Sequence, residues 1–76
     1  MVSVNILLNT INDVKNFVNI VSKYDFEVDL TSGRYVIDAK SIMGIFSLDL
    51  SKPIKLEAQC SEDSKFATEI KQFAQK

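Results

Sequence analysis

The apolar residues of this 76-residue chain change their spacing repeatedly, and each change restricts what the chain can build. Val2, Val4 and Ile6 alternate with Ser3, Asn5 and Leu7, the period of two that marks a half-buried strand. From Val14 the spacing lengthens to that of a helix, with Val14, Phe17, Val18 and Val21 on one face and Lys15, Asn16 and Asn19 on the other. Thr10 followed by Asp13 resembles a capping box with Asp in place of Glu, so the helix is expected from about Ile11 to Lys23.

The period of two returns in Phe26-Glu27-Val28-Asp29-Leu30, and Tyr35-Val36-Ile37-Asp38 is the next β-rich run. Between them Thr31-Ser32-Gly33-Arg34 reads as a hairpin turn, with Gly33 free to take a positive φ. The segment from Lys40 to Leu48 is short and apolar and has a serine at its start, so it reads as a brief helix capped by Ser41. Pro53 starts a strand better than it continues one, and after it Ile54, Leu56 and Ala58 alternate with Lys55, Glu57 and Gln59. Ser61-Glu62-Asp63-Ser64 reads as an N-cap cluster with acidic residues in the first turn, leading into a last helix with Phe66, Ala67, Ile70, Phe73 and Ala74 on its apolar face.

The expected order is β-α-β-β-α-β-α in one domain, residues 1–76. An α+β fold, with one four-stranded antiparallel sheet and three helices on one face, would bury all these stripes together. Nine Lys/Arg and ten Asp/Glu are spread along the chain, with no basic stripe for a nucleic acid. No apolar stretch reaches the ~20 residues that a membrane span needs. Met1 to Asn5 lack the basic region and apolar run of a signal peptide, and the single Cys60 fits a reducing compartment. A cytoplasmic location is therefore expected, without membrane or nucleic-acid partners. No basic residue lies within two positions of Cys60, which reads as a structural thiol rather than a nucleophile. Asp25, Glu27 and Asp29 read as the solvated face of a strand, without metal-ligand spacing, and no cofactor is expected.

The chain contains no histidine, which rules out every mechanism that needs an imidazole. That absence matters because of two motifs. Ser22-Lys23-Tyr24-Asp25 before a strand, and Lys40-Ser41-Ile42-Met43-Gly44 followed by Ser47-Leu48, resemble the HPr phosphocarrier family of the sugar phosphotransferase system. The resemblance runs over essentially the whole chain and implies the HPr open-faced β-sandwich. In that family a histidine at the start of the first helix carries the phosphoryl group, within Gly-Ile/Leu-His-Ala-Arg-Pro. Here Thr10 stands at the histidine's place, Asn12 at the arginine's and Asp13 at the proline's. No Lys or Arg precedes Lys15. An anion at this helix start would meet a carboxylate and no guanidinium, so Thr10 reads as a capping hydroxyl.

The serine of Lys-Ser-Ile-Met-Gly is, in Gram-positive relatives, phosphorylated by an HPr kinase/phosphorylase, and the resemblance places that regulatory site at Ser41. A helix start favours the added charge, and Lys40 is adjacent. Losing the histidine while keeping this serine is the pattern of Crh, a regulatory branch of the family. Ile42, Met43 and Phe46 share one side of the short helix, whereas Ile45 and Leu48 point elsewhere, so one set is expected at the surface. The resemblance implies that this patch, with Lys40, docks enzyme I, sugar permease domains, the kinase or a transcription regulator. Gly44 is expected to allow close approach of a neighbour. The reading is a non-enzymatic regulatory module. A phosphocarrier using another acceptor, or a degenerate domain that dimerises through its exposed strand edges, are the alternatives.

Overall fold

The computed structural model describes residues 1–61 and 64–74, so the acidic pair expected in the last helix's first turn, Glu62 and Asp63, lies outside them. The described residues form β1 (Val2–Ile6), α1 (Ile11–Val21), β2 (Val28–Ser32), β3 (Tyr35–Asp38), α2 (Ile42–Phe46), β4 (Ile54–Ala58) and α3 (Lys65–Ile70), with a 3₁₀ turn, Lys71–Phe73, after α3. This is the β-α-β-β-α-β-α order that the periodicities require.

The sheet order is β1-β4-β2-β3, and every neighbouring pair is antiparallel. β1 and β2 therefore run parallel, with β4 filling the gap between them, and β3 runs parallel to β4. Parallel strands need a crossover, and both crossovers in this sheet contain a helix. The side chains that pair across the sheet on the helical face are Val2 with Ala58, Val4 with Leu56, Ile6 with Ile54, and Leu30 with both Leu56 and Ile37. Phe17 and Phe66 are fully buried above them, each contributing about 1.5–3 kcal/mol of apolar burial. Phe17 meets Phe73 edge-on, with ring centroids 5.5 Å apart.

Several boundaries differ from the periodic reading. α1 stops at Val21, because the N–H groups of Lys23 and Tyr24 reach back only three residues, to the carbonyls of Ile20 and Val21. β2 starts at Val28 rather than Phe26, since Phe26 turns its ring onto Tyr24 and Phe66, at 5.3 and 5.1 Å, instead of joining the sheet. Only Asp29 of the three carboxylates lies in that strand. At the other end Thr31 and Ser32 extend β2 and pair with Val36 and Tyr35. The turn shrinks to Gly33–Arg34, with Gly33 at φ +60°. β4 ends at Ala58, and Cys60 lies beyond it in a tight turn where its N–H reaches the Ala58 carbonyl at 2.9 Å. α3 begins at Lys65, its first turn carries no acidic residue, and its last turn tightens to 3₁₀ through the buried Phe73. No helix of the described residues is long and apolar enough to cross a membrane.

Candidate functional site

Two helix starts carry the candidate residues. At α1, Thr10 has extended backbone angles and its Oγ1 accepts the Asp13 N–H at 3.0 Å. The Asp13 carboxylate turns back to accept the N–H of Asn9 at 3.1 Å. Each side chain of the pair satisfies one backbone donor, as in a capping box. A cavity of about 300 Å³ beside them is lined by Leu7, Asn9, Asp13, Gln72, Phe73 and Ala74, without a cationic side chain. Asn12 is exposed and lies off this cavity. The Thr10 hydroxyl is thus engaged as an acceptor, next to a carboxylate.

At α2, Ser41 caps the helix. Its Oγ accepts the Gly44 N–H at 3.3 Å, and its carbonyl accepts the Ile45 N–H at 3.0 Å. The serine itself is exposed. Helical geometry then sorts the apolar residues. Ile45 and Leu48 enter the core, and Ile42 is half-buried against it. Met43 and Phe46 face outward, 77% and 41% exposed. A Cβ on Gly44 would lie 3.1 Å from Ser41 Oγ and 3.4 Å from Ile37 Cδ1, so the close neighbours of this glycine belong to the chain itself.

Lys40 is placed differently from the free cation its position beside Ser41 suggests. Its Nζ donates to the Tyr24 carbonyl at 2.8 Å in a partly buried contact. Its own N–H is held by Asp38 Oδ1 at 2.9 Å. Tyr24 in turn donates its O–H to Glu69 Oε2 at 2.8 Å. Its ring packs against Phe26 and Phe66. Burial, and the Glu69 carboxylate beside it, push the Tyr24 phenol above its ordinary range. The segments Ser22–Asp25 and Lys40–Gly44 thus meet through one hydrogen bond across a separation of 16 residues. Sequence reasoning missed this tie, since no local pattern pairs a lysine stem with a distant carbonyl.

A family model, PTS-HPr, described as the PTS HPr component phosphorylation site, matches residues 13–76. The chain belongs to the HPr family. Among solved structures, HPr-C-His from Thermoanaerobacter tengcongensis superposes with a TM-score of 0.73 at 27% identity, covering 90% of this chain and 84% of that one. The phosphocarrier protein HPr from Bacillus anthracis str. Ames superposes with a TM-score of 0.71 at 20% identity, covering 97% of this chain and 94% of that one, a likeness of fold. No curated protein matches the chain by sequence.

The start of α1 presents the Asp13 carboxylate and no cationic side chain on its cavity. The histidine of the phosphocarrier family is absent from the whole sequence. The family match begins at Asp13, past Thr10 and Asn12. What the HPr fold presents at its surface here is the α2 end, where an accessible hydroxyl lies beside exposed Met43 and Phe46.

Proposed function

We propose that this chain is a non-enzymatic regulatory module of the phosphotransferase system, acting in the cytoplasm. Partner proteins read it through Met43 and Phe46, and phosphorylation of Ser41 switches it. Ile42 and Lys40 set the position of the docking helix from beneath, Ile42 against the core and Lys40 through the Tyr24 carbonyl. The observation that carries this reading is the exposed Ser41 hydroxyl standing within three residues of an apolar side chain 77% open to solvent. A flexible methionine beside an aromatic ring suits adaptable docking. A phosphoryl group adds about −1.5 to −2 charge at that rim, which changes what the patch will bind. The partners that fit are phosphotransferase-system proteins, an HPr kinase/phosphorylase and a transcription regulator.

The test has two arms. Incubation with HPr kinase/phosphorylase and ATP should place one phosphate on Ser41, read by intact mass and lost in Ser41→Ala. Calorimetry against candidate partners should then show binding that changes on phosphorylation and is lost in Met43→Ser/Phe46→Ser. Absence of phosphate on Ser41 together with unchanged partner binding in that double variant would overturn the proposal.

A further inference from the structure

The two edges of the sheet are finished differently. β1 is partly closed, since Ile6 bridges Ala74 and the Leu7 N–H donates to the Phe73 carbonyl at 2.8 Å. β3 is the outermost strand at the other edge, paired only with β2. It contains no Lys or Pro, the residues that usually blunt such an edge, and Lys40 just beyond it is turned to Tyr24. Tyr35 and Val36 are 71% and 65% exposed there.

The hairpin geometry says which backbone groups face outward. Gly33 at φ +60° followed by Arg34 with a negative φ is the pattern of a two-residue type II′ turn. In such a hairpin the pair flanking the turn, Ser32 and Tyr35, exchanges both ladder hydrogen bonds, and the next hydrogen-bonded pair is Leu30 with Ile37. The Ala39 N–H donating to Val28 at 2.9 Å continues the same phase. The N–H and C=O of Val36 and the N–H of Asp38 therefore point away from the sheet. The Asp38 carbonyl is taken by the Ser41 N–H at 3.0 Å.

We infer that the β3 edge pairs with the β3 edge of a second copy of this chain, antiparallel and centred on Val36. Two-fold symmetry then sets Val36 opposite Val36, with Arg34 of each copy opposite Asp38 of the other. Tyr35 falls opposite Ile37 on the helical face. The two Val36 residues exchange a pair of hydrogen bonds, and each Asp38 N–H reaches the carbonyl of the opposite Arg34. Arg34 is the chain's only arginine, sits exposed on the turn, and forms no ion pair among the described residues.

Charge selects this register. Sliding by two residues sets Arg34 opposite either Lys40 or Val36, and neither offers it a carboxylate. Of these three registers the Val36-centred one alone sets Arg34 against Asp38 at both ends. Asp38 also has reason to accept a cation. It lies directly opposite Asp29, which lies opposite Glu57, so three carboxylates run across adjacent strands of the open face. Like charges in that arrangement destabilise a sheet. The guanidinium of the opposite Arg34 relieves the row at its outer end. The contact is isologous and short, so the dimer is weak and forms at high protein concentration.

Sedimentation equilibrium of the full chain from micromolar to millimolar concentration tests this. Arg34→Asp alone should weaken association at least about tenfold, because each end then sets one carboxylate against another. Asp38→Lys alone should do the same by setting cation against cation. An equimolar mixture of the two variants should recover most of the association. In that mixture an edge with carboxylates at both ends faces an edge with cations at both ends. Exchange of the Val36 amide in the unaltered protein should slow as concentration rises, a readout independent of how well Asp38→Lys folds. A monomer at every concentration, a dimer indifferent to Arg34→Asp, or a mixture no better than its components would overturn the inference.

Discussion

The Gly44 N–H donates to Ser41 Oγ at 3.3 Å, and a Cβ on Gly44 would stand 3.1 Å from that same oxygen. The glycine gives the cap its donor and leaves its hydroxyl room. Alanine at position 44 gains up to about 1 kcal/mol of helix preference but makes the hydroxyl give way slightly, which weakens a cap bond already 3.3 Å long. Gly44→Ala should therefore leave stability within about 1 kcal/mol of the unaltered protein. In a Ser41→Ala background, where no Oγ is left to crowd, the same change should become stabilising. A double-mutant cycle by urea denaturation measures the coupling. Equal effects in both backgrounds would contradict the crowding argument.

Ser41→Ala by itself removes the side-chain cap of a helix only five residues long. The expected cost is about 1 kcal/mol, seen as a fall in Tm of about 4–8 °C. Circular dichroism should show the transition otherwise unchanged, because Ile45 and Leu48 still anchor the segment in the core.

The sequence made the element order legible because each buried stripe repeats with its own period. The Thr10 and Ser41 caps were legible too, being local hydrogen bonds between residues three apart. What escaped was tertiary. Phe26 continues the alternation of β2, yet two aromatic partners pull it out of the strand. Thr31 and Ser32 have turn-like composition, but a two-residue II′ turn needs only Gly33 and Arg34, which frees both for the ladder. The sorting of Met43 from Ile42 depends on where α2 lies over Ile37, which no spacing in the chain encodes.

Lys40 and the Tyr24 carbonyl make a partly buried, charge-assisted hydrogen bond. Lys40→Met keeps the apolar stem and deletes the donor. It should cost about 1–2 kcal/mol in urea denaturation, as a charged hydrogen bond lost to a half-buried carbonyl does. Phosphorylation of Ser41 should persist below the unfolding range, since the ammonium is committed to Tyr24. A variant of unchanged stability that loses phosphorylation would place Lys40 in the recognition surface instead.

The Tyr24 phenol has its pKa raised, first by burial and then by donating to Glu69. The folded chain thus holds this proton more tightly than the unfolded chain, whose tyrosine titrates near about 10. Stability from this group is whole below that value and is lost as pH rises toward the folded-state pKa. Tyr24→Phe should be less stable at neutral pH and should lack this part of the alkaline decline. Parallel urea curves at successive alkaline pH values for the two proteins give the difference. Curves separated by a constant amount would exclude the linkage.

We propose that Thr10 and Asn12 stand where the family's carrier histidine and its arginine stand, which makes phosphate carriage at this helix start a problem of charge rather than of one nucleophile. Thr10→His alone supplies the imidazole but leaves Asp13 within the first turn of α1 and no guanidinium beside it. A phosphoryl group on that histidine would sit against like charge without a charge-assisted hydrogen bond, each of which contributes about 1.5–3 kcal/mol. Combining Thr10→His with Asn12→Arg and Asp13→Pro removes the repulsion and adds the fork. The triple variant should accept phosphate from enzyme I and phosphoenolpyruvate at least about tenfold faster than Thr10→His, the factor that 1.4 kcal/mol represents. Equal rates in the two variants would show that the carboxylate at position 13 was no obstacle. The control is stability. Thr10→His leaves the Asp13 N–H without its side-chain acceptor, and the triple variant removes that N–H but loses the Asp13 carboxylate that accepts from Asn9, so each should unfold more easily than the unaltered chain by about 1 kcal/mol.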